Sequence, residues 1–113
     1  MITTSIPMGP SCAKQSEPIH DLRILRDVQV PMRDGVKLSV NIFLPDTEGR
    51  FPVVFERMPY GDSGRTPGEF YARRGYAFVM QDCRGRHDSE GEFYPFRDDT
   101  PDGLDSLDWI CAQ

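Results

Sequence analysis

The feature that most constrains this chain is the run Tyr76-Ala-Phe-Val-Met-Gln-Asp82, nearly continuous in apolar residues and preceded directly by Gly75. A strand buried on one face alternates apolar and polar residues, whereas one apolar throughout has both faces covered, as strands inside parallel sheets do. Gly75 closes Glu69-Phe-Tyr-Ala-Arg-Arg74, a short helical segment, at the position where helices stop on a left-handed residue. Before that segment comes Pro52-Val-Val-Phe-Glu-Arg-Met58, short, β-rich and closed by Pro59, with Pro52 suited to the first position of a strand. Strand, helix, strand in this order forms a βαβ unit, whose two strands share one parallel sheet. The class is therefore α/β.

Upstream, Ile24, Val28 and Val30 are interleaved with charged residues from Leu22 onward, and a turn signal follows at Arg33-Asp34-Gly35. The stretch Val36 to Leu44 alternates strictly as far as Ile42, the pattern of a half-buried strand. Together they predict an antiparallel hairpin closed by Asp34-Gly35. Downstream, Thr100-Pro101-Asp102 predicts a helix start, with a capping hydroxyl, a proline at the first helical position and a carboxylate near the positive end of the dipole. Leu104, Leu107, Ile110 and Cys111 form its expected apolar stripe. No stop signal precedes Gln113, so the sequence reads as an incomplete sheet ending in a truncated helix. Residues 1 to 17, rich in Ser, Thr, Pro and Gly without periodicity, are expected to form a flexible tail, leaving 18–113 as the folded part.

Hydrophobic residues make up 38% and charged residues 27% of the 113, which places the chain with globular rather than disordered sequences. Eighteen Asp and Glu against thirteen Lys and Arg leave a net charge of -5, which repels phosphate backbones and anionic lipid. Neither nucleic acid nor a membrane is expected as a partner. No apolar stretch approaches the roughly 20 residues that cross a bilayer, and Met1 to Ala13 lack the basic start and unbroken apolar run of a signal peptide. Cys12, Cys83 and Cys111 are odd in number and widely spaced, which fits reduced thiols and a cytoplasmic location better than a disulfide framework.

Ligands of an open parallel sheet gather beyond the C-terminal ends of its strands, and two loops leave that edge, one at Tyr60 and one at Cys83. In the α/β-hydrolase plan the loop after the third strand lends a donor to the oxyanion hole, which stabilises charge developing on an attacked carbonyl oxygen. Tyr60 stands at that position. A phenol hydroxyl donates without carrying charge, and Pro59 stiffens the turn that aims it. A tyrosine merely packed at a strand end has the same local sequence, so residue type alone leaves both readings open. The second loop, Gln81 to Phe93, is dense in polar groups. Cys83 and His87 are too few for a zinc site without a second ligand pair, so no metal is expected. As thiol nucleophile and base they compete with Cys83 as a buried filler at a strand end. His87-Asp88-Ser89 holds the three residue types of a triad, yet consecutive residues do not easily align base, orienter and nucleophile. The loop reads better as a shaped floor, with Gly85 and Gly91 allowing unusual dihedrals and Arg84 and Asp82 pairing with loop carbonyls and neighbouring side chains. His20, beside the tail, reads as a surface residue and is assigned no role.

Five motifs in one order carry a resemblance: Met32-Arg33-Asp34-Gly35-Val36-Lys37-Leu38; Phe51-Pro52-Val53-Val54 leading to Pro59-Tyr60-Gly61; Arg73-Arg74-Gly75-Tyr76; Gln81-Asp82-Cys83-Arg84-Gly85; and Ser89-Glu90-Gly91-Glu92-Phe93. From about Leu22 to Gln113 the chain resembles the CocE/NonD hydrolases, X-Pro dipeptidyl-peptidase-like enzymes of the cocaine esterase type. The resemblance implies an α/β-hydrolase domain using serine, histidine and aspartate on ester or peptide bonds of small acyl substrates without a cofactor, with a helical cap and a jelly-roll domain further on. It implies Tyr60 as the oxyanion donor and Ser89 as structural. Relatives often carry a small or apolar residue where this chain has His87, a departure that bears on the loop's shape. The nucleophile, aspartate and histidine are expected outside this chain, so the chain alone is expected to be inactive. The alternative is a non-catalytic interaction or ligand-binding module. The two differ at Val53 to Met58, which the intact hydrolase pairs with the nucleophile's strand: a fragment leaves it as an edge prone to self-association, and a module protects it.

Overall fold

The computed structural model describes residues 16–113. The tail expected over residues 1 to 17 lies, apart from exposed Ser16 and Glu17, outside the described residues, as does Cys12. The elements are β1 (Leu22–Pro31), β2 (Lys37–Pro45), β3 (Val53–Met58), α1 (Arg65–Arg73), β4 (Ala77–Asp82) and α2 (Asp99–Cys111). They build a four-stranded sheet in the order β1-β2-β4-β3. The expected hairpin is present: β1 and β2 are antiparallel, with Val30 opposite Leu38, and Gly35 turns the chain at φ 86 while its N–H donates to the Met32 carbonyl at 2.9 Å. The expected βαβ unit is present too, with β3 and β4 parallel from Val53 opposite Ala77 to Met58 opposite Asp82. β4 lies inside the sheet and buries every residue from Ala77 to Gln81. β3 is an edge, bonded among the described residues to β4 alone.

Three expectations need correction. β2 is not half-buried: it runs between β1 and β4, with Leu38, Val40 and Ile42 in one cluster and Phe43 in the other. Its one buried polar residue, Ser39, is internal because it is bonded, its Oγ donating to Asp27 at 2.6 Å where β1 bulges between Leu25 and Val28. α1 starts at Arg65 rather than Glu69. Pro67 is tolerated because the first turn of a helix has no intrahelical use for its N–H groups, and Gly68 is required because a Cβ there would overlap the Phe43 ring. The helix ends on Gly75 at φ 93, with Tyr76 N–H donating to Tyr71 O and Gly75 N–H to Ala72 O, a Schellman closure. α2 starts at Asp99, so Thr100 lies inside the helix and Asp98 takes the N-cap place without a side-chain cap bond. Only part of its apolar stripe meets the sheet: Ile110 packs against the apolar cluster, whereas Leu104 is 53% and Leu107 45% exposed and the buried positions of the first turns are Asp102 and Ser106.

The sheet is covered on both faces. Phe43, Ala72, Phe78 and Met80 pack with Tyr71 of α1 on one side, the Tyr71 and Phe78 rings stacked at 5.7 Å. Val30, Met32, Leu38, Val40, Ile42 and Val79 form the other cluster, against which Trp109 and Ile110 of α2 pack. That second face is only partly filled, leaving a cavity of about 820 Å³ between Leu25, Ile42, Phe55, Val79 and α2.

Candidate functional site

Because β3 and β4 are parallel and adjacent, the loops that follow them start at the same rim. Cys83 N–H donates to the Met58 carbonyl at 3.1 Å, extending the ladder one step past the strands. Tyr60 follows two residues after Met58 and is 81% exposed; among the described residues no group bonds its hydroxyl. Tyr60 and Cys83 border one cavity of about 550 Å³, whose wall also includes Arg57, Pro59, Arg86, Phe93, Pro95, Phe96 and Asp99. The volume lies within the range of small-molecule sites. Phe96 is 90% exposed at its mouth, on a left-handed backbone at φ 66.

The second loop is held by its own polar groups. Gly85 (φ 71) and Gly91 (φ 88) take the left-handed conformation expected of them. Gly85 N–H donates to Glu90 O at 2.8 Å, and Glu90 N–H donates to Lys37 O at 2.8 Å. Ser89 Oγ donates to the Asp82 carbonyl at 2.7 Å and accepts the Ser39 N–H at 2.9 Å. Its hydroxyl is thereby committed to backbone, which answers the triad-like run His87-Asp88-Ser89: these residues form a scaffold and not a nucleophile with its base. Cys83 is buried, and loss of solvation pushes its thiol up from the usual value, opposite to what a reactive thiolate needs. Among the described residues no cluster of three or more His, Cys, Asp or Glu is arranged to hold a metal. His20 is half-buried rather than free at the surface, its backbone N–H donating to Arg73 O at 3.0 Å.

Beneath the cavity lies a polar chain that sequence reasoning missed. Arg57 Nε donates to Gln81 Oε1 at 2.7 Å, Gln81 Nε2 to Ser106 Oγ at 2.8 Å, and Ser106 Oγ to the Asp102 carbonyl at 2.7 Å. Asp102, 2% exposed, receives Arg84 Nε at 2.9 Å and Nη2 at 2.7 Å, and Arg84 reaches back to Asp34 at 2.9 Å. Hydrogen bonding to Asp102 first, then to Asp34, raises the Arg84 guanidinium further above its ordinary value. The sequence hint was Gln81 inside an otherwise apolar strand: a fully buried amide needs partners on both ends. Asp82, at the end of β4, is pushed up by burial and held back by the Asp88 N–H.

Parallel strand ends, a turn carrying Tyr60 after β3 and a braced loop after β4 define an α/β sheet with a cavity at the C-terminal ends of its strands. Residues 34–113 match the X-Pro dipeptidyl-peptidase (S15) family, and the chain belongs to it. It is 43% identical over 97 residues to the cocaine esterase of Rhodococcus sp. (strain MB1 Bresler), covering 80% of this chain and 17% of that enzyme. An α-amino-acid ester hydrolase superposes with a TM-score of 0.71 at 29% identity, over 96% of this chain and 22% of its own. A CocE/NonD family hydrolase from Staphylococcus aureus superposes at 0.72 with 28% identity, over 80% and 20%. These relatives are esterase- and peptidase-type hydrolases, and this chain spans about a fifth of their length. Among the described residues no helix is long and apolar enough to cross a membrane.

Proposed function

We propose that this chain supplies the oxyanion side of a serine-hydrolase site acting on ester or peptide bonds of small acyl substrates, with Tyr60 as the donor. The observation that carries it is the placement of Tyr60: just past the end of β3, on the rim shared with Cys83, exposed over a cavity of about 550 Å³ with its hydroxyl unbonded among the described residues. When a serine oxygen attacks an acyl carbon, the carbonyl π pair moves onto oxygen, and a fixed O–H donor stabilises that charge more than it stabilises the substrate. The serine, the histidine that takes its proton and the carboxylate that orients the histidine are supplied from outside this chain. A donor without a nucleophile offers no covalent route, so the 113 residues alone are inactive.

The test is hydrolysis of p-nitrophenyl esters and of a dipeptidyl p-nitroanilide by two polypeptides: this chain, and this chain extended by whatever its reading frame encodes after Gln113. The first is expected to match buffer. The second is expected to turn over, with Tyr60→Phe lowering kcat by about 10²–10³. An extended protein that hydrolyses neither substrate class, or one indifferent to loss of the Tyr60 hydroxyl, defeats the assignment.

A further inference from the structure

Resting on that reading of Tyr60, we propose that Arg86, with His87 beside it, is a positioning residue that aims the donor by gripping the turn on either side of it. The Tyr60 side chain is 81% exposed, so its direction is set by its own backbone. The peptide plane ahead of Tyr60 carries the Pro59 carbonyl, which accepts the Arg86 Nε–H at 2.8 Å. That bond stops the plane from rotating and so fixes where the Tyr60 Cα–Cβ bond starts. The residue after Tyr60 is Gly61, at φ 73, and its Cα faces the His87 ring so closely that a Cβ would overlap the imidazole. Two consecutive residues of the second loop thus hold the residues before and after Tyr60.

The grip is stiff because the loop that provides it is stiff. Arg86 N–H donates to Cys83 O at 3.0 Å, Ser89 N–H to Arg86 O at 2.9 Å, and the Ser89 hydroxyl ties the loop to Asp82 and Ser39. The Arg86 guanidinium lies 5.2 Å from the Phe93 ring centroid, and among the described residues no carboxylate pairs with it, so no ion pair draws it away from Pro59. His87 adopts φ 47, a left-handed backbone uncommon for a residue with a side chain, and this turns its ring onto Gly61. An oxyanion donor works only within about 2.7–3.1 Å of the oxygen it stabilises, and misplacement by about 1 Å can cost about 10²-fold in rate. Arg86 therefore acts on the transition state through Tyr60 and leaves ground-state binding largely alone.

Two measurements test this. In the extended polypeptide, Arg86→Met is expected to lower kcat by about 10-fold to 100-fold with KM changed by less than about twofold, and to cost nothing further in a Tyr60→Phe background, because residues acting through one another are not additive. In the 113-residue chain, chymotryptic cleavage after Tyr60 in Arg86→Met is expected to quicken about tenfold relative to cleavage after buried Phe78, which reports global unfolding. His87→Asn keeps a residue type that tolerates φ 47 and is the second variant, expected to move both readouts the same way. An Arg86→Met loss that persists in full without the Tyr60 hydroxyl, a rise in KM at constant kcat, or unchanged cleavage after Tyr60 in both variants overturns the positioning role alone. Unchanged kcat in Tyr60→Phe overturns the donor assignment, and this inference with it.

Discussion

Replacing Ser89 by alanine removes one oxygen from a point where two strands part. The last paired residues of β2 and β4 are Val40 and Gln81, and continuing that register would set Ser39 opposite Asp82. The Ser89 hydroxyl stands in that gap, donating to the Asp82 carbonyl at 2.7 Å and accepting the Ser39 N–H at 2.9 Å. Ser39 is 4% and Ser89 8% exposed, so the Ser39 N–H has little access to water once the oxygen is gone. An orphaned buried donor costs about 1–3 kcal/mol, and loss of a bond whose partner can be re-solvated about 1 kcal/mol. Asp82 is half-buried and falls in the second group. The sum is about 2–4 kcal/mol, a large part of the roughly 5–15 kcal/mol that holds a small domain together. Urea unfolding at sub-micromolar concentration, followed by the fluorescence of the single Trp109, reads this directly. With an m-value of about 1.5 kcal/mol per molar, the midpoint is expected to fall by about 1.3–2.7 M at unchanged m. A fall of less than about 0.3 M would show that water or relaxation replaces the hydroxyl, and the bridging role would be wrong.

Four further outcomes are expected. Asp102→Asn leaves Arg84 only partly neutralised beside a buried amide and is expected to cost about 3–5 kcal/mol in the same assay, a loss under about 1 kcal/mol counting against the ion pair. Gly103→Ala, with open space around its Cα inside α2, is expected to stabilise by about 0.5–1 kcal/mol, whereas Gly68→Ala meets the Phe43 ring and is expected to destabilise; equal signs in thermal melts would refute the contrast. Hydrogen bonds from Arg84 to Asp34 and from Arg33 to Asp105 hold both carboxyls below the usual 3.8, so their stabilisation is complete above that value and lost as pH falls through the depressed folded values. Asp82 runs the other way: raised by burial, it favours folding below 3.8 and loses that contribution as pH rises through its elevated value. In acid titrations of melting temperature, Asp105→Asn is expected to narrow its deficit below pH 3.8 and Asp82→Asn to remove the decline above it; parallel curves would refute both. The side of β3 left unpaired among the described residues is expected to drive self-association at micromolar concentration, and Val53→Lys, at a 43% exposed position, to reduce it in sedimentation velocity; a monomeric parent chain would refute the edge argument.

What could be read from the sequence was whatever local chemistry decides. Asp34-Gly35 closes the hairpin because only a residue free to reach φ 86 fits there, and Gly75 ends α1 at φ 93 for the same reason. The run Ala77 to Met80 had to be internal because each of its side chains is apolar and a sheet has only two faces. The shared rim of Tyr60 and Cys83 followed from the parallel pairing alone. The start of α1 was hidden because Pro67 and Gly68 are loop residues by propensity and helical here by context: one uses a first-turn position that needs no donor, the other a close approach to Phe43. The grip of Arg86 on Pro59 joins residues 27 apart in sequence, and no local pattern encodes it.

The orientation of α2 carries a more general point about periodicity. A stripe of Leu104, Leu107, Ile110 and Cys111 points at an apolar partner, yet α2 meets the sheet near the C-terminal end of β4, where Arg57, Gln81 and Arg84 already present polar groups. The face that docks there is the one that can bond them, Asp102 and Ser106, while Ile110 and Trp109 reach the apolar cluster further along the helix. Hydrophobic patterning identifies which residues want a cover and is silent about which neighbour supplies it. Leu104 and Leu107, about half exposed, keep an apolar face that the described residues do not fully cover, beside a cavity of about 820 Å³. An amphipathic helix can therefore satisfy its polar face through Asp102 and Ser106 while only part of its apolar stripe, at Ile110, reaches a core.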